Sequence, residues 1–468
     1  MPLKVYNTIT RREEEFKPLN PPNVSMYVCG ITPYDETHIG HGRAYVTFDV
    51  IRRYLEHLGY KVNYVQNITD IDDKIINKAK TSKVSIREVA KRYTDSYFDV
   101  MDKLNVKRAT RYPKATENIG DMVKVIDSLV KKGYAYVVSG QTSGSKDVYF
   151  EVAKFKDYGK LSRRKLEDME AGARVEINEK KRNPLDFALW KGAKEGEPSW
   201  DSPWGKGRPG WHIECSIMST KYLGETFDLH GGGLDLIFPH HENEIAQTEA
   251  YTGKPFVKYW IHNGFVTVNK EKMSKSLGNF FTLRDIFKKF SPEAVRLFLL
   301  STHYRHPINF SDEQLRGAKE ALTKIREAIS DFELYGKSAE ENKQNFSAEI
   351  EGFKKMFIES MDADFNTAGA IGQLFELINF TYENMKDREI SGDGIVSILG
   401  TINDMLGILG IHGKTAGLPG EITDLIRQRD AARLKRDFKE SDRIRGELQK
   451  RGYIVKDTPS GTSMTSTS

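Results

Sequence analysis

The sequence predicts an α/β protein whose first domain is a doubly wound parallel sheet of the Rossmann type, interrupted by an insertion. An α-helical bundle and a small mixed α/β C-terminal domain are predicted to follow. Three observations indicate this fold class. A strand-like stretch near the start runs through a polar loop into an amphipathic helix, the pattern changes between residues 118 and 198, and helical periodicities dominate residues 311–412.

The first strand–loop–helix unit organises this domain. Val24 to Gly30 is apolar and β-prone, which predicts a buried strand. From Ile39, apolar residues recur at i+3/i+4 spacing, which predicts a helix that ends at Gly59. His38 and His41 stand one turn apart at the start of this helix. Because such a helix start binds phosphates in doubly wound sheets, the two imidazoles are candidate catalytic ligands of polyphosphate oxygens.

A second strand is predicted from Val62 to Gln66, and residues Asn67 to Lys74 open the next helix. Thr69 has two interpretations, which the sequence leaves open. Asp72 stands three positions on, as it would after a helix-capping residue. Thr69 also ends a strand that points into the same crevice, where it could contact a substrate.

Residues 118–198 are predicted to form an insertion that separates residues 1–117 from the second half of the sheet domain. A hairpin is predicted from Tyr134 to Val138 and from Val148 to Val152, joined by the Gly/Ser-rich residues 139–145. Dense charge follows the hairpin.

Residues 199–265 are predicted to complete the sheet domain. Arg208 to Cys215 reads as a loop that enters a helix, and Phe227 to His230 as a short strand. Gly231 to Gly233 predicts a tight turn. Pro239 suits the first position of a helix that carries His240 to Glu244.

A lysine-rich loop is predicted within the junction region, residues 266–310. The pentapeptide Lys272-Met273-Ser274-Lys275-Ser276 lies in a polar loop that ends before a helix begun near Thr282. Lys272 and Lys275 on this loop, opposite the two histidines, would clamp transferring phosphates and stabilise their charge as pyrophosphate leaves.

The C-terminal third is predicted to hold a helical bundle over residues 311–412 and a separate domain over residues 420–462. Residues 424–451 contain ten Lys/Arg against six Asp/Glu, in two helices broken near Phe438. This basic pair is either a solvated face or a surface for a polyanion. A strand is predicted from Tyr453 to Val455, and the Ser/Thr-rich end is expected to fray.

Composition restricts the classes of protein. The 468 residues are 38% hydrophobic and carry a formal net charge of +5, which permits a polyanionic partner without requiring one. No targeting segment or membrane-spanning run is seen, so we expect a cytoplasmic protein without a membrane partner. The chain has two cysteines, for which metal binding or catalysis is favoured over a disulfide in a reducing compartment.

A metal site is one use for these thiols. Cys29 and Cys215 are predicted near the same sheet edge as His240 and Glu244, which are spaced i, i+4 and could converge on one ion. His241 with Glu244, at i, i+3, is the rival pairing, and the sequence leaves both open.

Taken together, these motifs resemble those of the class I aminoacyl-tRNA synthetases, and among them the cysteinyl-tRNA synthetase family. The resemblance covers nearly the whole chain and rests on Tyr27 to Gly30, His38 to Arg43, Asn67 to Lys74, Pro184 to Trp190, Gly210 to Cys215, Asp228 to Gly233, Phe238 to Ile245 and the Lys272 loop.

The resemblance implies a ligase that activates cysteine with ATP and transfers it to tRNA(Cys). We expect the chain to act as a monomer. It implies one Zn²⁺ held by Cys29, Cys215, His240 and Glu244, with Mg²⁺ expected alongside ATP. It places Lys275, His38 and His41 at ATP. It also places five residues around the amino acid: Gly30, Thr69, Trp211, His230 and Asp235.

The nearest alternative is the related cysteine ligase of mycothiol synthesis, which acts on an amino sugar. The basic residues after 412 argue against it, because a small-molecule ligase has no use for such a tail. A zinc-stabilised RNA-binding protein without catalysis would not need the histidine and lysine motifs.

Overall fold

The computed structural model describes residues 2–140, 145–164, 181–268, 271–272, 280–413, 420–458 and 461–466. Lys275 and the side chain of Lys272 lie outside the described residues.

The strands in chain order are β1 (Lys4–Asn7), β2 (Arg12–Glu15), β3 (Asn23–Ile31), β4 (Lys61–Ile68), β5 (Ala135–Ser139), β6 (Lys146–Phe150), β7 (Phe187–Gly192), β8 (Gly207–Pro209), β9 (Phe227–Gly233), β10 (Val257–Asn263), β11 (Val266–Val268), β12 (Glu271–Lys272), β13 (Ile308–Phe310), β14 (Tyr453–Thr458) and β15 (Gly461–Ser466).

The described α-helices are α1 (Ile39–His57), α2 (Asp73–Ser82), α3 (Ile86–Lys103), α4 (Ile119–Lys131), α5 (Trp211–Leu223), α6 (Glu242–Thr252), α7 (Leu283–Phe287), α8 (Pro292–Leu300), α9 (Asp312–Gly336), α10 (Ser347–Asp362), α11 (Thr367–Lys386), α12 (Gly392–Leu409), α13 (Gly420–Leu434) and α14 (Phe438–Lys450).

The central sheet is parallel, as predicted, with strand order β10-β9-β3-β4. The chain winds outward from β3 to β4 and later from β9 to β10. The strand order therefore reverses between β3 and β9, and a crevice opens at their carboxyl ends. That crevice is where ligands bind in open α/β sheets.

Helices cover both faces of this sheet. Successive side chains of β3 point to opposite faces, so each face contributes to a separate core. Val28 packs into the core that contains Phe48 of α1, whereas Tyr27 and Cys29 pack into the core that contains Met218 of α5. The predicted strand and the helix after it are confirmed.

One of two local predictions around the second half of the sheet is wrong. Gly231 to Gly233 continue β9 rather than forming a turn, because they pair with β10. A Cβ on Gly231 would overlap the Phe48 ring, so this glycine allows α1 to pack closely. Pro239 follows the extended Phe238 within an irregular helical turn, Ile237–His241, which runs directly into α6 at Glu242, so the predicted proline at a helix start is confirmed.

The predicted hairpin is confirmed as β5 and β6, which belong to an antiparallel sheet of order β5-β6-β7-β8. Asp73 on α2 ties this sheet to the central domain through ion pairs with Lys191 on β7 and Arg208 on β8.

Helices α9 to α12 form the predicted bundle, whose core is continuous with that of the first domain. Buried Arg296 on α8 joins the two by binding Asp49 on α1 and donating a 2.7 Å hydrogen bond to the Leu409 carbonyl oxygen. Within the described residues, α12 is the one helix long and apolar enough to span a membrane. Its buried Ile398 and Ile402 make it a core helix of the bundle.

The C-terminal unit has a small core of its own, formed by Ile422, Ile444, Leu448 and Val455. Its two helices and the strand from Tyr453 are confirmed. The expectation that the Ser/Thr-rich end frays is wrong for residues 461–466, because they form β15 and pair antiparallel with β14.

Candidate functional site

Four donor side chains meet beside the carboxyl end of β3, at the crevice between β3 and β9. Cys29 comes from the end of β3 and Cys215 from α5. His240 comes from the irregular turn and Glu244 from the first turn of α6. All four are buried, and their donor atoms all lie within 4.8 Å of one another.

The geometry of this cluster fits a tetrahedral cation of zinc size. The two sulfurs are 3.8 Å apart, and two sulfurs each about 2.3 Å from a tetrahedral zinc are about 3.8 Å apart. Cys29 Sγ lies 3.5 Å from Glu244 Oε1, which lies 3.0 Å from His240 Nε2. Two thiols, an imidazole and a carboxylate are also the donor types that zinc prefers.

The electrostatics of the cluster favour cation binding. Burial raises the pKa of Glu244, but His230 and His240 outweigh it and lower that pKa to about 2. The hydrogen bond with Cys29 lowers the pKa of Cys215 to about 6 against the effect of burial. Burial opposes the charge of His240, yet Glu244 raises its pKa to about 10. Without a metal, the protonated His240 balances these anions, and a bound cation would displace that proton.

A second group of histidines lies against the cluster. His241 Nε2 is 3.3 Å from Cys29 Sγ, and its Nδ1 is 2.8 Å from His262 Nε2. His262 Nδ1 in turn lies 2.8 Å from Thr8 Oγ1. Cys29, His230, His241 and Glu244 thus form an alternative donor set that shares two members with the first. Sequence reasoning missed His262, although it lies near the carboxyl end of β10, at the same sheet edge.

The cleft above the cluster has a volume of about 450 Å³. Cys29 forms part of its floor, and His38 and His41 line its wall. Three of the residues predicted around the amino acid also line it, namely Gly30, Trp211 and Asp235. The cleft therefore joins the cation cluster to the start of α1.

His230 and Thr69 lie behind the cleft rather than on its surface. His230 is fully buried, and its Nε2 lies 2.8 Å from Glu244 Oε2. Thr69 is buried and accepts a 3.1 Å hydrogen bond from Asn67 Nδ2. The capping interpretation of Thr69 is wrong, because Asp72 caps α2. Gly30 allows β3 to pass close to β4, since a Cβ there would overlap the Asn67 carbonyl oxygen.

The two histidines at the start of α1 lie side by side. Their ring centroids are 3.7 Å apart, and His38 is the N-cap residue of the helix. His38 Nδ1 accepts a 3.1 Å hydrogen bond from the Gly40 backbone N–H, and His41 Nδ1 accepts one of 3.4 Å from the His38 N–H. An accepting Nδ1 in a neutral ring requires the proton on Nε2. Each ring therefore has an N–H donor on Nε2, which can donate a hydrogen bond to a phosphate oxygen.

The His240 ring is enclosed by two neighbours from the start of α5. Trp211, which is 41% exposed, stacks on His240 with ring centroids 4.2 Å apart. His212 Nδ1 lies 2.9 Å from His240 Nδ1. His212 is a second residue that sequence reasoning missed, although it precedes Cys215 by one helical turn.

Comparison with protein families identifies three matching segments. Residues 15–320 match the family described as the class I (C) tRNA synthetase catalytic domain. Residues 356–410 match a DALR domain, and residues 415–462 match the cysteinyl-tRNA ligase anticodon-binding domain.

Many curated proteins are similar to this chain over nearly their full length. Cysteine–tRNA ligase of Caldicellulosiruptor saccharolyticus is 51% identical over 99% of both chains. The enzyme of the same name from Geobacillus thermodenitrificans is 50% identical over 98% of both chains. That of Clostridioides difficile is 50% identical over 98% of this chain and 99% of its own.

Solved structures of more distant proteins share the fold. Mycobacterium tuberculosis methionyl-tRNA synthetase in complex with methionyl-adenylate is 16% identical, with a TM-score of 0.61 over 83% of this chain and 89% of that one. Leucyl-tRNA synthetase of Agrobacterium radiobacter is 12% identical, with a TM-score of 0.62 over 84% of this chain and 85% of that one. These likenesses bear out the predicted class I architecture.

Proposed function

The chain belongs to the cysteine–tRNA ligase family of class I aminoacyl-tRNA synthetases, and from this premise we propose how its residues divide the reaction. Cysteine and ATP react to give cysteinyl-adenylate and pyrophosphate, and the cysteinyl group then passes to the 3′ end of tRNA(Cys). The observation that carries the proposal is the buried four-donor cluster, whose Cys29 lines the same cleft as the two helix-capping histidines, His38 and His41.

We propose that Cys29, Cys215, His240 and Glu244 hold one zinc ion. When bound, the zinc supplies a site that takes the substrate's thiolate and gains far less from a serine hydroxyl. Discrimination of about 10⁴ between these substrates corresponds to roughly 5.5 kcal/mol. One metal–thiolate interaction can supply that difference, so the enzyme would need no editing domain.

The remaining amino-acid contacts divide into two kinds. Gly30, Trp211 and Asp235 line the cleft and would contact the substrate directly. His230 would act through Glu244, to which it is hydrogen-bonded, and Thr69 would support the end of β4. Both of these buried residues would therefore shape the amino-acid site from behind.

ATP would bind at the other end of the cleft. His38 and His41 would donate from Nε2 to phosphate oxygens, since the N-terminal cap of α1 uses Nδ1 of each ring. Lys272 and Lys275 would close over the phosphates and stabilise the charge on departing pyrophosphate. Mg²⁺ would accompany ATP, as it does at many nucleotide sites.

The tRNA would bind along the C-terminal half of the chain. The proposed catalytic domain comprises residues 1–117 and 199–265, with the insertion over residues 118–198 between its halves. The junction covers residues 266–310, the tRNA-contacting bundle residues 311–412 and the anticodon-binding domain residues 420–462. The basic residues 424–451 support a polyanionic partner. We further propose a monomer that works in the cytoplasm.

The test is cysteine-dependent ATP–pyrophosphate exchange, followed by charging of tRNA(Cys). Exchange that requires cysteine, with serine inactive, supports the activation step. Charging of tRNA then supports transfer. Exchange with cysteine but transfer only to an amino sugar would contradict the proposal, and so would exchange that serine supports equally well.

A further inference from the structure

The imidazole of His240 makes polar contacts at both of its nitrogens. Its Nε2 faces the cation cluster, 3.0 Å from Glu244 Oε1. Its Nδ1 lies 2.9 Å from Nδ1 of His212, the second residue of α5. Trp211 stacks on one face of the ring. The ring is therefore held in one orientation, with a polar partner at each end.

The position of the protons follows from this geometry. Two ring nitrogens 2.9 Å apart must share one proton, which either ring can supply. For His240 to bind a cation, its Nε2 must carry a lone pair, so its proton must be on Nδ1. His212 Nδ1 must then accept, and the proton of His212 must be on its Nε2. The opposite arrangement would put the His240 proton on the nitrogen that the metal needs.

We propose that His212 is a positioning residue, whose Nδ1 accepts the His240 Nδ1 proton and so stabilises the tautomer of His240 that can bind the metal. The proposal rests on the proposed zinc site. Metal-bound histidines in proteins nearly always donate their second N–H to an acceptor, and a neutral imidazole fills that place here. Because His212 and Cys215 lie one turn apart on α5, the same helix supplies a metal ligand and the partner of another ligand.

The surroundings of His212 restrain its backbone and contact one edge of its ring. Its backbone carbonyl oxygen accepts a 2.6 Å hydrogen bond from Gln247 Nε2, and the same amide group donates to Ser216 Oγ at 2.7 Å. Phe187 on β7 makes an edge contact with its ring, with centroids 5.4 Å apart. The acceptor is therefore preorganised on packed elements.

A matched pair of substitutions isolates the acceptor. In His212→Asn, the side-chain oxygen can take the place of Nδ1. In His212→Leu, a side chain of the same branching offers no acceptor. Zinc affinity is measured for the full chain by competition with a chromophoric chelator, and the visible spectrum is recorded after cobalt substitution. We expect about 10- to 100-fold weaker zinc binding and an altered cobalt spectrum in His212→Leu. His212→Asn should stay within about threefold of wild type.

Equal zinc affinity of His212→Leu and wild type would overturn the inference. Equal losses of zinc affinity in His212→Leu and His212→Asn would also overturn it, because the ring rather than its acceptor nitrogen would then matter. A wild-type chain that binds no zinc would instead contradict the proposed metal site.

A measurement on the wild type avoids dependence on variant folding. In the zinc-loaded chain with ¹⁵N-labelled histidine, NMR should show the His240 proton on Nδ1 and the His212 proton on Nε2. The reverse pattern would overturn the inference.

Discussion

At one end of the cleft, four buried donor side chains from three distant chain segments fix one another's positions. At the other end, His38 and His41 are half-buried and take their orientation from the backbone of α1, whose cap they form. When side chains position one another, the removal of one should disrupt the function of all. Side chains held by a helix start should be separable, because the helix remains when a ring is replaced.

The largest effect is expected at the cluster. Cys215→Ser removes one of two sulfurs and should abolish stoichiometric zinc, which metal analysis would measure. Because the thiolate site is lost, kcat/KM for cysteine in pyrophosphate exchange should fall by about 10³ or more. The KM for ATP should change by less than about threefold. Adding cysteine to a cobalt-substituted wild type should shift the visible spectrum, whereas serine should not.

A core substitution on the same helix is the control. Ile217→Val should cost about 0.5–1.5 kcal/mol of stability and leave the zinc content at one per chain. A Cys215→Ser protein that keeps its selectivity for cysteine over serine would reduce the metal to a structural ion.

A substitution at the phosphate end should impair the reaction with ATP and leave zinc and cysteine binding intact. Lys275→Ala should slow adenylate formation by about 10², comparable to the loss of one preorganised charge partner. Equilibrium binding of cysteine and the zinc content should stay at wild-type values. Lys288→Ala, which removes an exposed partner of Asp285, is the matched control and should leave exchange unchanged. Near-normal exchange in Lys275→Ala would contradict its role.

His38 separates the helix cap from the phosphate contact. His38→Asn keeps a capping side chain but removes the ring, so the melting temperature should change little while exchange falls about 10- to 100-fold. His38→Ala should lower both, with a stability loss of about 1 kcal/mol. Equal exchange in the Asn variant and wild type would leave His38 as a cap alone.

The smallest effect on either end should come from the C-terminal unit. A chain that ends near Ala416 loses a unit with its own core and the contact of β15 with α9, neither of which lines the cleft, so it should still form the adenylate. Its KM for tRNA should rise about tenfold and depend less on salt, because phosphate contacts are lost. If this chain charges tRNA as well as the full chain, residues 417–468 do not bind tRNA.

Much of the fold could be predicted because the spacing of apolar residues and the helix-capping residues determine secondary structure over short stretches of sequence. The first strand, α1 and the hairpin followed from such patterns. The predicted turn at Gly231–Gly233 was wrong because these glycines pair with β10, and at Gly231 the close approach of Phe48 from α1 explains the missing side chain. The predicted capping role of Thr69 was wrong because α2 begins at Asp73 and Asp72 is its N-cap residue.

The candidate site was predictable to a similar depth. The convergence of Cys29 and Cys215 with His240 and Glu244 followed from the family resemblance. The residues alone left His241 open as the alternative, and the structure brings both histidines to the cluster. Spacing could have placed His212 and His262 near the site, but their hydrogen bonds could not be expected, because these depend on ring orientations that no spacing encodes.

The wide separation of the donors along the chain has a consequence for synthesis. Cys29 and Cys215 are 186 residues apart. At ordinary elongation rates they leave the ribosome roughly 10 to 40 s apart. Throughout that interval Cys29 has no partner thiol, and the strand that carries it has no neighbour β9. A four-donor site cannot form until both halves of the sheet have been made and have paired. Metal uptake would therefore mark the completion of this domain rather than begin its folding, and cellular zinc would act by retaining finished chains in the folded state.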